Sequence, residues 1–200
     1  MNFTINQIPG ELVLKMKNTL TWTQECPVAI ERLKLLEISH YSFFNNIETG
    51  QLVVLDKIAE NVLKIFEQLL IVKFPIKSIK PIDSYNGNDE LSMNDNNSSC
   101  FNFRPIAGSD HFSIHSYGLA IDINPIQNPF IEINDKTGIV EIFPKEGVKY
   151  LNRGNIRAGM VEPIVEIFKK QGFEWGGNWN SPIDYHHFQL SRGQVPELIA

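Results

Sequence analysis

The stretch SIHSYGLAIDINP, residues 113–125, decides how the chain reads. Its second half alternates strictly. Leu119, Ile121 and Ile123 fall on one side, and Ala120, Asp122 and Asn124 fall on the other. Successive side chains of a strand point to opposite faces. The spacing therefore predicts a strand over 118–124 that covers a core with its apolar face and lines a cleft with its polar face. His115 and Gly118 stand just before Asp122 in the same stretch.

Toward the C-terminus, GIVEIF (138–143) is a strand candidate within a Pro-, Asn- and Gly-bearing region, 125–159. An amphipathic helix is expected from Met160 to Gln171, with Pro163 in its first turn and Gly172 as its stop. FEWGGNW (173–179) reads as an aromatic, Gly-rich loop, and YHHFQL (185–190) as a last strand.

Toward the N-terminus, CFNFRP (100–105) alternates like a strand, and SIKPIDSY (78–85) reads as a short one. NGNDELSMNDNNSS (86–99) is too polar to bury much and reads as a surface loop. Over 53–73, Leu55, Ile58, Ala59, Val62, Leu63, Phe66, Leu69 and Leu70 follow helical spacing, and Pro75 ends the element. Residues 1–50 show weak periodicity, with turn signals at 9–10 and 48–50. Helix and strand signals mix without a βαβ rhythm. The expected class is α+β, a small and mainly antiparallel sheet flanked by helices. One domain is expected over 1–200, with 1–50 as an extension packed on a core at 80–190.

Composition narrows the function. A net charge of −5 without a basic run argues against nucleic acid. The apolar run LLIV (69–72) stops at Lys73, far short of the roughly 20 residues of a membrane span. A basic segment followed by an apolar one, the mark of a secretion signal, is not visible at the start. Cys26 and Cys100 either pair in an oxidising compartment or stay as buried thiols, and neither sits in a CxxC pair.

The chemistry gathers on His115, Asp122 and a second histidine from DYHHF (184–188). Two histidines and a carboxylate make a common zinc set that leaves a fourth position open, as catalysis requires. Alternation along YHHFQL puts His186 with Phe188 and Leu190 on the core side. Tyr185, His187 and Gln189 share the other side, so His187 is expected to join Asp122. Asp184 is then a free carboxylate beside the metal, suited to moving protons. His111 lies four before His115, yet the segment lacks the Glu of a helical HExxH site, so His111 is expected to flank the site. His40 reads as a surface or core residue.

These residues resemble a known family. SIHSYGLAID has the SxHxxGxAxD form of the zinc D-Ala-D-Ala carboxypeptidases and L-alanyl-D-glutamate endopeptidases that cut peptidoglycan stem peptides. WGGNWNSPIDYHHFQL (175–190) resembles their closing motif, and FNFRPIAGS (101–109) their arginine segment. CPVAI (26–30) and GQLVV (50–54) are similar to earlier pieces. The resemblance implies His115, Asp122 and His187 as zinc ligands and Asp184 as acid/base. It also implies Arg104 as the stabiliser of negative charge at the scissile carbonyl, and Ser113 and Tyr117 as residues shaping the cleft. Zn2+ is the implied cofactor, a peptidoglycan stem peptide the implied partner, and a monomer the expected state. The implied place of action is the periplasm, the cell wall or the medium. The implied fold is shared with lysostaphin-type peptidases and the hedgehog domain. One departure stands out: the position before the closing His is often Pro in this group and is His186 here. A non-catalytic zinc module of the same fold is the competing expectation. Asp184 and Arg104 favour catalysis.

Overall fold

A computed structural model describes residues 1–106, 109–134 and 137–200. In chain order its elements are β1 (Phe3–Gln7), α1 (Gly10–Asn18), β2 (Leu33–Tyr41), β3 (Ile47–Leu55), α2 (Ala59–Ile71), β4 (Ser78–Ile79), α3 (Asp89–Asn94) and β5 (Asn97–Ser98). They continue with β6 (Ala120–Asp122), β7 (Phe130–Ile133), β8 (Val140–Phe143), α4 (Val165–Lys169), β9 (Glu174–Trp175), β10 (Ile183–Asp184), β11 (His187–Gln189) and α5 (Val195–Ile199). The class is α+β. Three antiparallel sheets, β1-β2-β3, β6-β11-β9 and β10-β7-β8, stand beside a parallel pair, β4-β5.

The first sheet carries the apolar mass. β2 pairs with β3 from Leu33 opposite Leu55 to Tyr41 opposite Ile47. Leu33, Leu36, Ile38, Leu52 and Leu55 are fully buried there. α2 lays Val62, Ile65, Phe66 and Leu69 into the same core, the i, i+3, i+4, i+7 stripe of an amphipathic helix. The helix expected from 53 begins only at Ala59, because Val53, Val54 and Leu55 close β3 opposite Leu35, Lys34 and Leu33. A short apolar run fits both periods; β-branched residues and a waiting partner strand decide. The turn signal at 48–50 lies inside β3, where Gly50 is needed because a Cβ would clash with Ile79.

Elsewhere the regular elements are shorter than expected. Only Ser78–Ile79 of 78–85 is a strand, followed by a 3-10 turn at Ile82–Tyr85. Residues 100–104 form no strand. They are held by single bonds, Phe101 N–H to the Val53 carbonyl and Asn102 N–H to the His115 carbonyl, both 3.1 Å. The helix expected over 160–171 is a 3-10 turn at Glu162–Ile164 leading into α4, and Gly172 ends it in the left-handed region at φ 88°.

The polar stretch 86–99 is not a plain surface loop. It contains α3 and β5, and Ser92, Asn96, Asn97, Ser98 and Ser99 are buried. Their side chains replace a missing ladder. Asn97 Nδ2 donates to the Lys80 carbonyl and to Ser92 Oγ, both at 3.0 Å. Asn96 Oδ1 accepts from Ile126 N–H at 2.8 Å. Buried polar groups are tolerated when paired in this way. The polar side of 118–124 is likewise covered, since Asn124, just past β6, is fully buried with its amide on the Pro75 and Gly159 carbonyls.

Candidate metal centre and active site

Three elements bring three ligand atoms together. β6 pairs with β11 so that Asp122 stands opposite His187. Phe188, the next residue of β11, is clamped between the rings of Phe168, 3.9 Å away, and Trp175, 6.4 Å away. That clamp fixes the strand's rotation and turns His187 the other way. His115 comes from a 3-10 turn, Ile114–Tyr117, in which Ser113 Oγ caps the His115 N–H. The turn closes at Gly118, φ 66°, where a Cβ would lie 2.7 Å from Leu55 N. Only glycine meets both demands.

His187 Nδ1 lies 3.0 Å from Asp122 Oδ1 and 3.2 Å from His115 Nε2, and His115 Nε2 lies 3.1 Å from Asp122 Oδ2. A tetrahedral zinc site with bonds near 2.0–2.1 Å has edges of about 3.3 Å, so the triangle has the right size. The far ring nitrogens are spoken for. His115 Nδ1–H donates to the Cys100 carbonyl at 2.6 Å, and His187 Nε2–H donates to Gln189 Oε1 at 2.9 Å. Those bonds select the tautomers that aim Nε2 of one ring and Nδ1 of the other inward, the arrangement that orients metal-bound histidines. Two inward lone pairs and a buried carboxylate call for a cation between them.

The electrostatics agree. Burial opposes the Asp122 charge, but the neighbouring His115 and His186 charges and hydrogen bonds from His115 and His187 outweigh it and hold the carboxyl well below its usual range. Burial likewise pulls the His187 ring down, but Asp122, with Asp184 and Gln189, pushes it up to about 9. In the metal-free protein a proton on His187 plays the part of the cation. Among the described residues, His115, Asp122 and His187 are the cluster with metal-ligand geometry.

Asp184 is buried on β10, and burial raises its affinity for a proton despite the opposing His186 and His187 charges. Its Oδ1 lies 3.1 Å from His186 Nε2. His186 is therefore not on the core side with Phe188. The chain leaves one sheet at Asp184 and joins another at His187, so Tyr185 and His186 form a break across which alternation does not carry. The expectation that alternation along YHHFQL puts His186 on the core side fails for that reason. His186 Nε2 is also 4.0 Å from Asp122 Oδ1.

The other expected residues are less central. Arg104 Nη2 pairs with Asp89 Oδ2 at 3.1 Å, half-exposed, and its backbone carbonyl accepts from Ser113 N–H and Ser116 Oγ–H. Ser113 is buried with its hydroxyl committed to capping. Tyr117 packs against the hydrophobic core. His111 is exposed. His40 is buried, and burial lowers its pKa. Cys26 and Cys100 are free thiols, each raised by burial, Cys26 to about 11.

Several contributors escaped the sequence reading. Gln189 shares a strand face with His187 and was within reach of the alternation argument. The Cys100 and Asn128 carbonyls leave no side-chain signal. Gly176 of the WGG turn packs on Asp184, where a Cβ would come within 2.6 Å of the Asp184 carbonyl oxygen, and Trp179 tilts against the His187 ring at 5.3 Å.

Residues 107–190 match the family model described as D-alanyl-D-alanine carboxypeptidase. The peptidoglycan L-alanyl-D-glutamate endopeptidase CwlK of Bacillus subtilis (strain 168) is 37% identical over 78 residues, which make up 39% of this chain and 39% of that protein. The chain thus matches about two fifths of that relative's length. No solved structure matches the chain. The resemblance carried by the two histidine motifs is borne out over this C-terminal segment.

Proposed function

We propose that this chain is a zinc-dependent peptidase that hydrolyses a peptide bond in the stem peptide of bacterial peptidoglycan. The observation that carries the reading is the triangle of His115 Nε2, Asp122 and His187 Nδ1, with edges of 3.0–3.2 Å and both outer ring nitrogens tied to carbonyl oxygens. Residues 1–200 act as one unit in this reading, with 1–50 packed on a catalytic core at 80–190. A hydrophobic cluster continuous from Met16 to Val195 supports that. The relation to lysostaphin-type peptidases and the hedgehog domain belongs to the same reading, as does action outside the cytoplasm. Among the described residues no helix is long and apolar enough to cross a membrane.

His115, Asp122 and His187 would hold the zinc ion, which would supply the Lewis acidity that activates water near neutral pH. Asp184 takes the proton from the attacking water and returns it to the departing amine, a task suited to a carboxyl whose pKa burial has raised. Gln189 and the Cys100 carbonyl hold the ligand rings in place. Arg104 is assigned to the negative charge that develops on the carbonyl oxygen. It must first leave Asp89. A half-exposed pair of this kind is worth roughly 0–1 kcal/mol, so the exchange is inexpensive.

Asp184→Ala is expected to keep zinc and lose roughly 10²–10⁴ in turnover. Wild-type turnover in that variant sinks the role. His187→Ala is expected to lose the metal, read by elemental analysis. Digestion of purified peptidoglycan, with mass spectrometry of the new ends, identifies the bond. New D-Glu amino termini indicate an endopeptidase and free D-Ala a carboxypeptidase. Neither product from zinc-loaded protein favours a non-catalytic cell-wall binding module.

A further inference from the structure

One buried polar side chain at the site has no task in the mechanism above. His186 is 4% exposed, is hydrogen-bonded through one ring nitrogen and faces a carboxyl with the other. Its Nδ1–H donates to the Asn128 carbonyl at 2.8 Å, and its Nε2 faces Asp184 Oδ1 at 3.1 Å.

The anchor behind it is rigid. Asn128 is fully buried, and its amide donates to the carbonyls of Ile123, Asn124 and Gly159. Its Oδ1 accepts from Val161 N–H and from Arg153 Nη2, both at 2.9 Å. Arg153 is in turn forked onto Glu162. The main chain of Asp184 is packed closely by Gly176.

Asp184 Oδ1, by contrast, is buried and has no other partner. Its contact with His186 has the distance of a hydrogen bond but not the direction, a common condition before substrate binds. A carboxyl that exchanges protons with a reacting group must be held to within roughly 0.5 Å, and His186 is the side chain placed to hold it.

We infer that His186 is a positioning residue for Asp184. Anchored on the Asn128 carbonyl, its Nε2 fixes Oδ1 and leaves Oδ2 as the oxygen that serves the reaction. This inference rests on the reading of Asp184 as the acid/base. It concerns the residue at which the chain departs from its closing motif, and it gives that departure a use.

The test compares His186→Phe, which keeps a ring and loses both nitrogens, with His186→Gln, which keeps a donor. The zinc-loaded variants are expected to hold as much metal as the wild type. In His186→Phe, kcat falls roughly ten- to a hundred-fold, the scale of a small misplacement, with KM within about twofold. His186→Gln recovers part of the loss. In an Asp184→Ala background His186→Phe has no further effect, because a residue acting through Asp184 has nothing left to act on. A crystal structure of metal-free His186→Phe shows the Asp184 carboxyl turned from its wild-type position.

Unchanged kcat in His186→Phe, an equal loss in both backgrounds, loss of metal, or an Asp184 that has not moved each overturns the inference. These outcomes leave the Asp184 assignment standing as long as Asp184→Ala alone is inactive. Wild-type turnover in Asp184→Ala removes that assignment and this inference with it.

Discussion

The first sheet and the site-bearing sheets are held together by different means. β1-β2-β3 is long and apolar, with a nine-residue register between β2 and β3 and a helix on one face. The strands around the candidate metal centre are two to four residues long. There, buried amides of Asn96, Asn97, Asn124 and Asn128 tie loops to one another. The contrast teaches how a site of three histidines and two carboxylates is built. Long ladders repeat one geometry, whereas side-chain-to-backbone bonds place each residue separately.

If that is right, losing one such amide costs as much as losing a core leucine. Leu36→Ala on β2 is expected to cost about 2–5 kcal/mol. Asn128→Ala strands the Ile123 carbonyl and Val161 N–H and takes one acceptor from Arg153, while the Asn124 and Gly159 carbonyls keep Asn128 N–H and Asn124 Nδ2 as donors. At about 1–3 kcal/mol for each unpaired buried group, with partial relaxation, a loss on the order of 3–5 kcal/mol is expected. Each variant should lower the thermal midpoint by about 10 °C. A shift of only a degree or two for Asn128→Ala breaks the comparison.

Metal removal sharpens it. Zinc bound only to the folded state stabilises by about 2.7 kcal/mol at a hundredfold excess over Kd. Chelation should therefore lower the midpoint and raise hydrogen exchange in β6 and β11, which carry Asp122 and His187, while leaving β2 and β3 protected. Equal loosening of both regions in an exchange experiment argues that they melt as one.

The sequence legibility divides along the same line. Alternation in 118–124 and the Phe188 anchor placed Asp122 and His187 together, because those segments are true strands. The same rule misplaced His186, where the chain changes sheets between Asp184 and His187. Residues 86–99 read as solvent-facing since polarity signals exposure only when no partner is buried nearby. Asn96 and Asn97 find theirs in Gln127, Ile126 and Lys80, far along the chain. Helical spacing in 53–73 was correct for α2, yet it could not reveal that β2 claims Val53 to Leu55. Pairing partners distant in sequence are what local patterns lack.

Protonation provides a smaller effect with a definite sign. The folded His187 is pushed up to about 9, above an unfolded value near 6.5. In chelated protein its contribution is thus fully present below about pH 6.5 and lost as pH rises through about 9. Zinc must displace that proton, so metal affinity runs the other way and increases with pH across the same window. Chelated protein should lose stability between pH 6.5 and 9 as zinc affinity grows. An apo midpoint that rises over this range contradicts the pairing of His187 with Asp122.

The smallest expected effect lies at Arg104. Its pair with Asp89 is half-exposed, and Asp89 also accepts from Asn102 Nδ2 at 3.1 Å. Asp89→Asn keeps the shape and removes the charge, so stability should change by no more than about 1 kcal/mol. If Arg104 must leave Asp89 to meet the substrate, the variant begins closer to the working state. KM should then fall or stay level, with metal content unchanged. A clear rise in KM without loss of stability means that Asp89 holds Arg104 where the substrate needs it. The ion pair is then part of the site rather than a resting place, and the precision seen around His187 extends to the half-exposed rim.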